Sequence, residues 1–88
     1  MFALKIEKRA EKFINRLSSK DQDIVFSKLS ALRTHPYKNN LDIKKLHGST
    51  DNIFRLRIRD IRIIYKIYNK ELIILVIDAG FRKDIYRK

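Results

Sequence analysis

Residues 54–65 read FRLRIRDIRIIY: three apolar side chains alternate with three arginines, an Asp interrupts, and a mostly apolar run follows. A period of two sends successive side chains to opposite faces of a strand. With Arg59 and Asp60 as a two-residue turn, Ile58 faces Ile61, Leu56 faces Ile63 and Phe54 faces Tyr65, all on one side. On the other side Arg57 faces Arg62 and Arg55 faces Ile64, with Lys66 farther along. One side of this hairpin needs a core to bury it, and the other carries cations. The rest of the chain has to supply the cover.

Residues 71–79, ELIILVIDA, are apolar through their middle and predict a third strand, central in the sheet. Asn69 and Lys70 suit a tight turn into it, because Asn tolerates positive φ. That turn sets Ile77 opposite Arg62. Toward the N-terminus, residues 2–6 alternate Phe2, Leu4 and Ile6 with Ala3 and Lys5, the pattern of a short half-buried strand. Ala10, Phe13, Ile14 and Leu17 then recur at helical spacing. Ser19 with Gln22 three residues on predicts a capping box for a second helix. Val25, Leu29 and Leu32, helped by Ile24 and Phe26, form its apolar stripe. Pro36 disfavours helical geometry at His35, so this helix should end near Thr34. A polar loop, YKNNLD, leads to an extended segment, IKKLHG, ending at Gly48.

The order β-α-α-β-β-β-β predicts an α+β fold: an N-terminal strand, then an α-helical hairpin packed on one face of a mostly antiparallel, curved four- to five-stranded sheet. A chain of 88 residues has room for one domain, spanning 1–88.

Charge narrows the function. The chain has 21 Lys and Arg against 10 Asp and Glu, a net of +11. The excess is spread along it: residues 1–44 carry ten cations and five acids, residues 45–88 eleven and five. Such a surface attracts polyanions, nucleic acid first. There is no cysteine, which excludes a disulfide framework and a thiolate metal site and fits a reducing, cytoplasmic setting. The longest apolar run, Leu72 to Ile77, is far short of the ~20 residues that span a bilayer. The N-terminus meets charge too early for a secretory signal.

Like charges directly across a sheet repel, yet Arg55, Arg57 and Arg62 gather on one side. A solvated face explains them, since an arginine stem covers apolar surface. A phosphate site explains them too, because guanidinium grips phosphate oxygens in bidentate fashion. The C-terminal stretch AGFRKDIYRK (79–88) bears on that choice. With Ile77 opposite Arg62, strict alternation sends Arg82 to the wrong side, and a bend at Gly80 is needed to bring Arg82 and Tyr86 over the basic face.

LHG (46–48), FRLRIRDIRIIY (54–65) and AGFRKDIY (79–86), in this order and spacing, resemble the RelE branch of the RelE/ParE toxin superfamily, ribosome-dependent mRNA interferases with a RelE-like microbial RNase fold. The similarity runs the whole chain and is strongest from residue 46 to 87. It implies the toxin of a type II toxin–antitoxin system that enters the A site of a 70S-type ribosome, cuts mRNA and stops translation. It implies attack by the ribose 2′-hydroxyl, giving a 2′,3′-cyclic phosphate and a free 5′-hydroxyl, with no metal and no cofactor. It implies an acidic antitoxin that wraps the toxin in a hetero-oligomer, with no membrane partner. Arg62 matches the family's arginine that stabilises charge on the scissile phosphate. Arg82 matches one proposed as general acid or phosphate clamp, and Tyr86 the tyrosine that stacks on or activates the substrate nucleotide. Arg55, Arg57, Arg59, Lys66 and Lys83 complete the expected phosphate-binding set.

Three departures stand out. Phe81 occupies a position where many relatives have histidine. Arg59 stands where a turn glycine is usual, at about 1 kcal/mol if positive φ is required. Arg55 and Arg57 replace lysines, and arginine cannot lose its proton to act as base. His35 and His47 read as surface or packing residues; Asp60, Asp78 and Asp84 read as turn or ion-pair residues. What remains is electrostatic stabilisation by arginines. Tyr86, a poor base at an ordinary phenol pKa of about 10, gains phenolate character from neighbouring cations. Activity should therefore be weak until the ribosome holds the RNA in line. Two other functions stay open: a ParE-type inhibitor of DNA gyrase on the same scaffold, and a non-catalytic basic module that binds RNA or the ribosome.

Overall fold

The computed structural model describes residues 1–36, 41–46 and 52–82. Strand β1 (Ala3–Ile6) is followed by helices α1 (Lys8–Asn15) and α2 (Ser19–Thr34), then strands β2 (Asp42–Lys45), β3 (Ile53–Ile58), β4 (Ile61–Tyr68) and β5 (Ile73–Phe81). The sheet order is β1-β5-β4-β3-β2. Only the β1–β5 pair is parallel; the other three are antiparallel. The middle position belongs to β4, with β5 interior beside it, so the apolar run of β5 reflects burial one place from the centre.

The β3–β4 register is the one alternation predicts, from Ile58↔Ile61 through Arg57↔Arg62 and Arg55↔Ile64 to Phe54↔Tyr65. Phe54, Leu56, Ile58, Ile61, Ile63, Tyr65 and Ile67 are buried in one cluster with Ala10 and Ile14 of α1 and Val25, Leu29 and Leu32 of α2. Tyr65 stacks on Phe54, centroids 5.6 Å apart. Its hydroxyl donates to Pro36 O at 3.0 Å, fastening the chain beyond α2 to the sheet.

The β4–β5 register departs from expectation. Four residues, Asn69 to Leu72, separate the strands: Leu72 N donates to Asn69 O, and Leu72 takes the left-handed conformation (φ 56). The longer loop moves the pairing by two residues, and a bulge at Ile64/Tyr65 moves it by one more. Gly80, not Ile77, therefore lies opposite Arg62. The strand itself begins at Ile73 rather than Glu71.

Two smaller corrections concern α2. Its N-cap is Ser18, whose hydroxyl accepts from Asp21 N at 3.1 Å. Gln22 is not part of a capping box; its side-chain amide donates back to Asn15 O and Leu17 O, closing the connection from α1. Phe26, assigned to the apolar stripe, is 44% exposed. The end at Thr34 is as Pro36 requires. There Arg33 and Phe2 exchange bonds, Phe2 N to Arg33 O and Arg33 Nε to Phe2 O, which ties β1 to the end of α2.

Candidate nucleic-acid interface

With helices on one face, alternation leaves the even residues of β4 and the odd residues of β3 on the other. Register then places Arg57 beside Arg62 and Gly80, Arg55 beside Ile64, and Lys66 beside Ile53 and Leu75. The open face is thus a set of rows with cations in each, and the glycine leaves space across from the Arg62 stem.

Arg55 and Arg57 share one counterion. Asp42, opposite Arg57 on β2, accepts from Arg55 Nη2 at 3.1 Å and lies 3.5 Å from Arg57 Nε. This carboxylate offsets the repulsion between neighbouring arginines, which the alternation pattern alone left unbalanced. Arg55 is nearly covered, and its Nε has no hydrogen-bond partner among the described residues. Arg57 remains exposed.

Arg62 is 1% exposed although it faces away from the helices. Its Nη1 donates to Arg59 O at 3.3 Å and to Ile61 O at 3.5 Å, folding the guanidinium back over the β3–β4 turn. A charge held out of water acts more strongly on an anion that reaches it.

The same turn holds Arg82. Its backbone N–H donates to Asp60 O at 2.7 Å. Gly80 lies across from Arg62 and β5 ends at Phe81, so Arg82 follows the strand directly, beside the β3–β4 turn. Phe81 falls on the helix side, where it meets Phe13 edge-on with centroids 5.0 Å apart. Position 81 therefore serves packing here.

Arg59 does not join this group. It adopts φ 57, as a turn glycine would, and its guanidinium lies 3.6 Å from Asp21 on α2. It lines a groove of about 380 Å³ between α2 and β3, with Lys28, Asp42 and Arg57 also on its wall. Lys66 is on the open face, two rows from Arg62, with its ammonium 5.0 Å from the Tyr68 ring centroid. Lys83, Tyr86 and His47 lie outside the described residues.

Arg55, Arg57 and Arg62 thus share one face on two neighbouring strands, and the Arg82 backbone is fastened to the turn that joins those strands. Asp42 was missed in sequence because it sits in a polar loop segment with no pattern of its own, and its role arises from pairing across β2. Among the described residues no three His, Asp or Glu side chains form a group able to hold a metal ion, and no helix is long and apolar enough to cross a membrane.

A family model described as the ParE toxin of the type II toxin–antitoxin system, parDE, matches residues 3–86. RelE in the archaeal RelE–RelB complex of Pyrococcus horikoshii OT3 superposes with a TM-score of 0.82 at 25% identity, covering 94% of this chain and 97% of that one. The isolated E. coli RelE toxin gives 0.78 at 23% identity, with 98% and 92% covered. The Mycobacterium tuberculosis RelBE2 toxin–antitoxin complex gives 0.77 at 16% identity, with 92% and 98% covered. No curated protein matches the sequence. The superpositions agree with the two-helix, five-stranded architecture, and the chain belongs to the ParE toxin family of type II toxin–antitoxin systems, within the RelE/ParE superfamily.

Proposed function

We propose that this toxin is a ribosome-dependent, metal-independent endoribonuclease that cuts mRNA in the A site and so inhibits translation in the cytoplasm. The observation that carries the reading is the meeting of Arg57 and Arg62 across the sheet with Arg82 bonded to the same turn. In the reaction the 2′-hydroxyl gives up its proton, its oxygen bonds to phosphorus, and the bond from phosphorus to the 5′-oxygen breaks. The 5′-oxygen then takes a proton. Negative charge builds on the phosphorane between these steps. Guanidiniums fixed beside it lower that barrier, and removing one such donor typically costs 10²–10³-fold in rate.

Arg62 is assigned to the phosphorane oxygens, and Arg82 to the phosphate or the leaving oxygen. Arg55, Arg57 and Lys66 hold the flanking phosphates, with Arg59 and Lys83 at the margin. Tyr86 is assigned to the nucleotide, by stacking or as phenolate. Because no arginine can serve as base, rate depends on in-line alignment of the RNA, which the ribosome supplies. The partner that silences the toxin is an acidic antitoxin, a role in keeping with relatives solved as RelB–RelE complexes.

One observation favours a second reading, inhibition of DNA gyrase without nuclease chemistry: the matching family model is that of ParE toxins. Addition of the protein to a translating extract separates the two. Discrete cuts in ribosome-bound message, lost in Arg82→Ala with the fold intact, are the expected result. Intact message with accumulated gyrase-linked DNA breaks would replace the first reading by the second.

A further inference from the structure

The far end of the open face holds side chains that the proposed chemistry does not use. Alternation along β4 puts Tyr68 on the side of Arg62, Ile64 and Lys66. Pairing sets Ile73 beside Tyr68 and Leu75 beside Lys66, and β1 adds Lys5 beside Leu75. Lys5, Tyr68, Glu71, Ile73 and Leu75 line a shallow depression of about 340 Å³. Tyr68, Ile73 and Leu75 are all only half-buried. The Lys66 ammonium is 5.0 Å from the Tyr68 ring centroid. Tyr68 lies six residues along β4 from Arg62, about 20 Å.

An aromatic ring on an exposed sheet, with cations spaced along the same face, is how proteins hold single-stranded nucleic acid: bases stack on the ring and ammonium groups follow the backbone. The rows between the two ends supply that spacing, with Arg55 in one and Lys66 and Lys5 together in the next. We propose that Tyr68, with Lys66 beside it, is a stacking subsite for an unpaired RNA base several nucleotides from the scissile phosphate. The inference rests on the RNA reading above and adds to it a distal contact that positions the strand. An acidic protein segment would use the cations equally well, but it gains nothing particular from a flat ring at the end of the row, so RNA is the occupant argued here.

Binding of fluorescent, 2′-O-methylated RNA of about four and about ten nucleotides, lengths that bracket one end of the face and most of it, tests this at low salt. Tyr68→Leu, which keeps apolar bulk without a π face, is expected to weaken the longer RNA about tenfold and leave the shorter unchanged. Tyr68→Phe should bind both as the wild type does. Lys66→Gln, which removes the ammonium and keeps the ring, should flatten the salt dependence for the longer RNA by about 0.7 in log–log slope. Unchanged affinity of Tyr68→Leu for the longer RNA overturns the subsite, as does an equal loss for both lengths. Loss of antitoxin binding with RNA binding intact assigns the face to a protein partner and overturns it too. A wild type that binds neither RNA defeats the RNA reading itself, and the subsite with it.

Discussion

Replacing Asp42 by Asn should make the protein bind RNA more tightly. The carboxylate bridges Arg55 and Arg57, at 3.1 and 3.5 Å, on the face proposed to receive phosphate. It is half exposed, so its ion pairs contribute about 0–1 kcal/mol to stability after solvent screening, and the fold should survive their loss. For RNA the effect is larger. A phosphate seated between the arginines lies within a few ångströms of the carboxylate, a repulsion of about 1 kcal/mol at ~4 Å in water. Removing it predicts about fivefold tighter binding. Freeing two guanidiniums for phosphate also steepens the salt dependence, by about 0.7 per contact and so by up to about 1.4 in log–log slope. The assay is equilibrium binding of single-stranded RNA across a salt series. Asp23→Asn is the control, an exposed position on α2 that changes net charge equally but away from the face. Equal gains in the two variants, or no change in affinity and slope for Asp42→Asn, would refute the placement of RNA on this face.

Two predictions address the scaffold. Arg59 adopts positive φ in the turn that holds both Arg62 and Arg82, so Arg59→Gly should exceed Arg59→Ala in stability by about 0.5–1 kcal/mol, since both lose the Asp21 pair and only glycine relieves the backbone. A few degrees in melting temperature would report it, and an alanine variant as stable as the glycine one would show that the turn is unstrained. Tyr65→Phe keeps the stacked ring but leaves Pro36 O without its donor, so urea titration should show a loss of about 1–2 kcal/mol. No loss would mean that the hydroxyl does not secure the chain beyond α2.

How far the sequence could be read depended on what each step asked of it. The β3–β4 hairpin was legible because alternation and a two-residue turn leave one register that buries Phe54, Leu56 and Ile58 together. The end of α2 was legible because Pro36 acts on its immediate neighbour. The β4–β5 pairing was not. Asn69 advertises a short turn, but the chain uses four residues, ends the loop on a left-handed Leu72 and adds a bulge, and neither feature has a composition cue. That single error set Ile77 rather than Gly80 opposite Arg62, and so misjudged where the chain leaves the sheet toward the β3–β4 turn. The ion pairs of Arg59 and Asp42 were missed for a different reason. Their partners, Asp21 on α2 and Arg55 and Arg57 on β3, are brought to them by the fold rather than by spacing in sequence.

The most direct measurement of the central claim is purified 70S-type ribosomes, programmed with a defined message and mixed with this toxin, with the product ends analysed chemically. The account predicts cuts only at the A-site codon, leaving a 2′,3′-cyclic phosphate and a 5′-hydroxyl, with little or no cutting of the same message without ribosomes. Message that stays whole on the ribosome at stoichiometric toxin, or cuts bearing a 5′-phosphate, would contradict it.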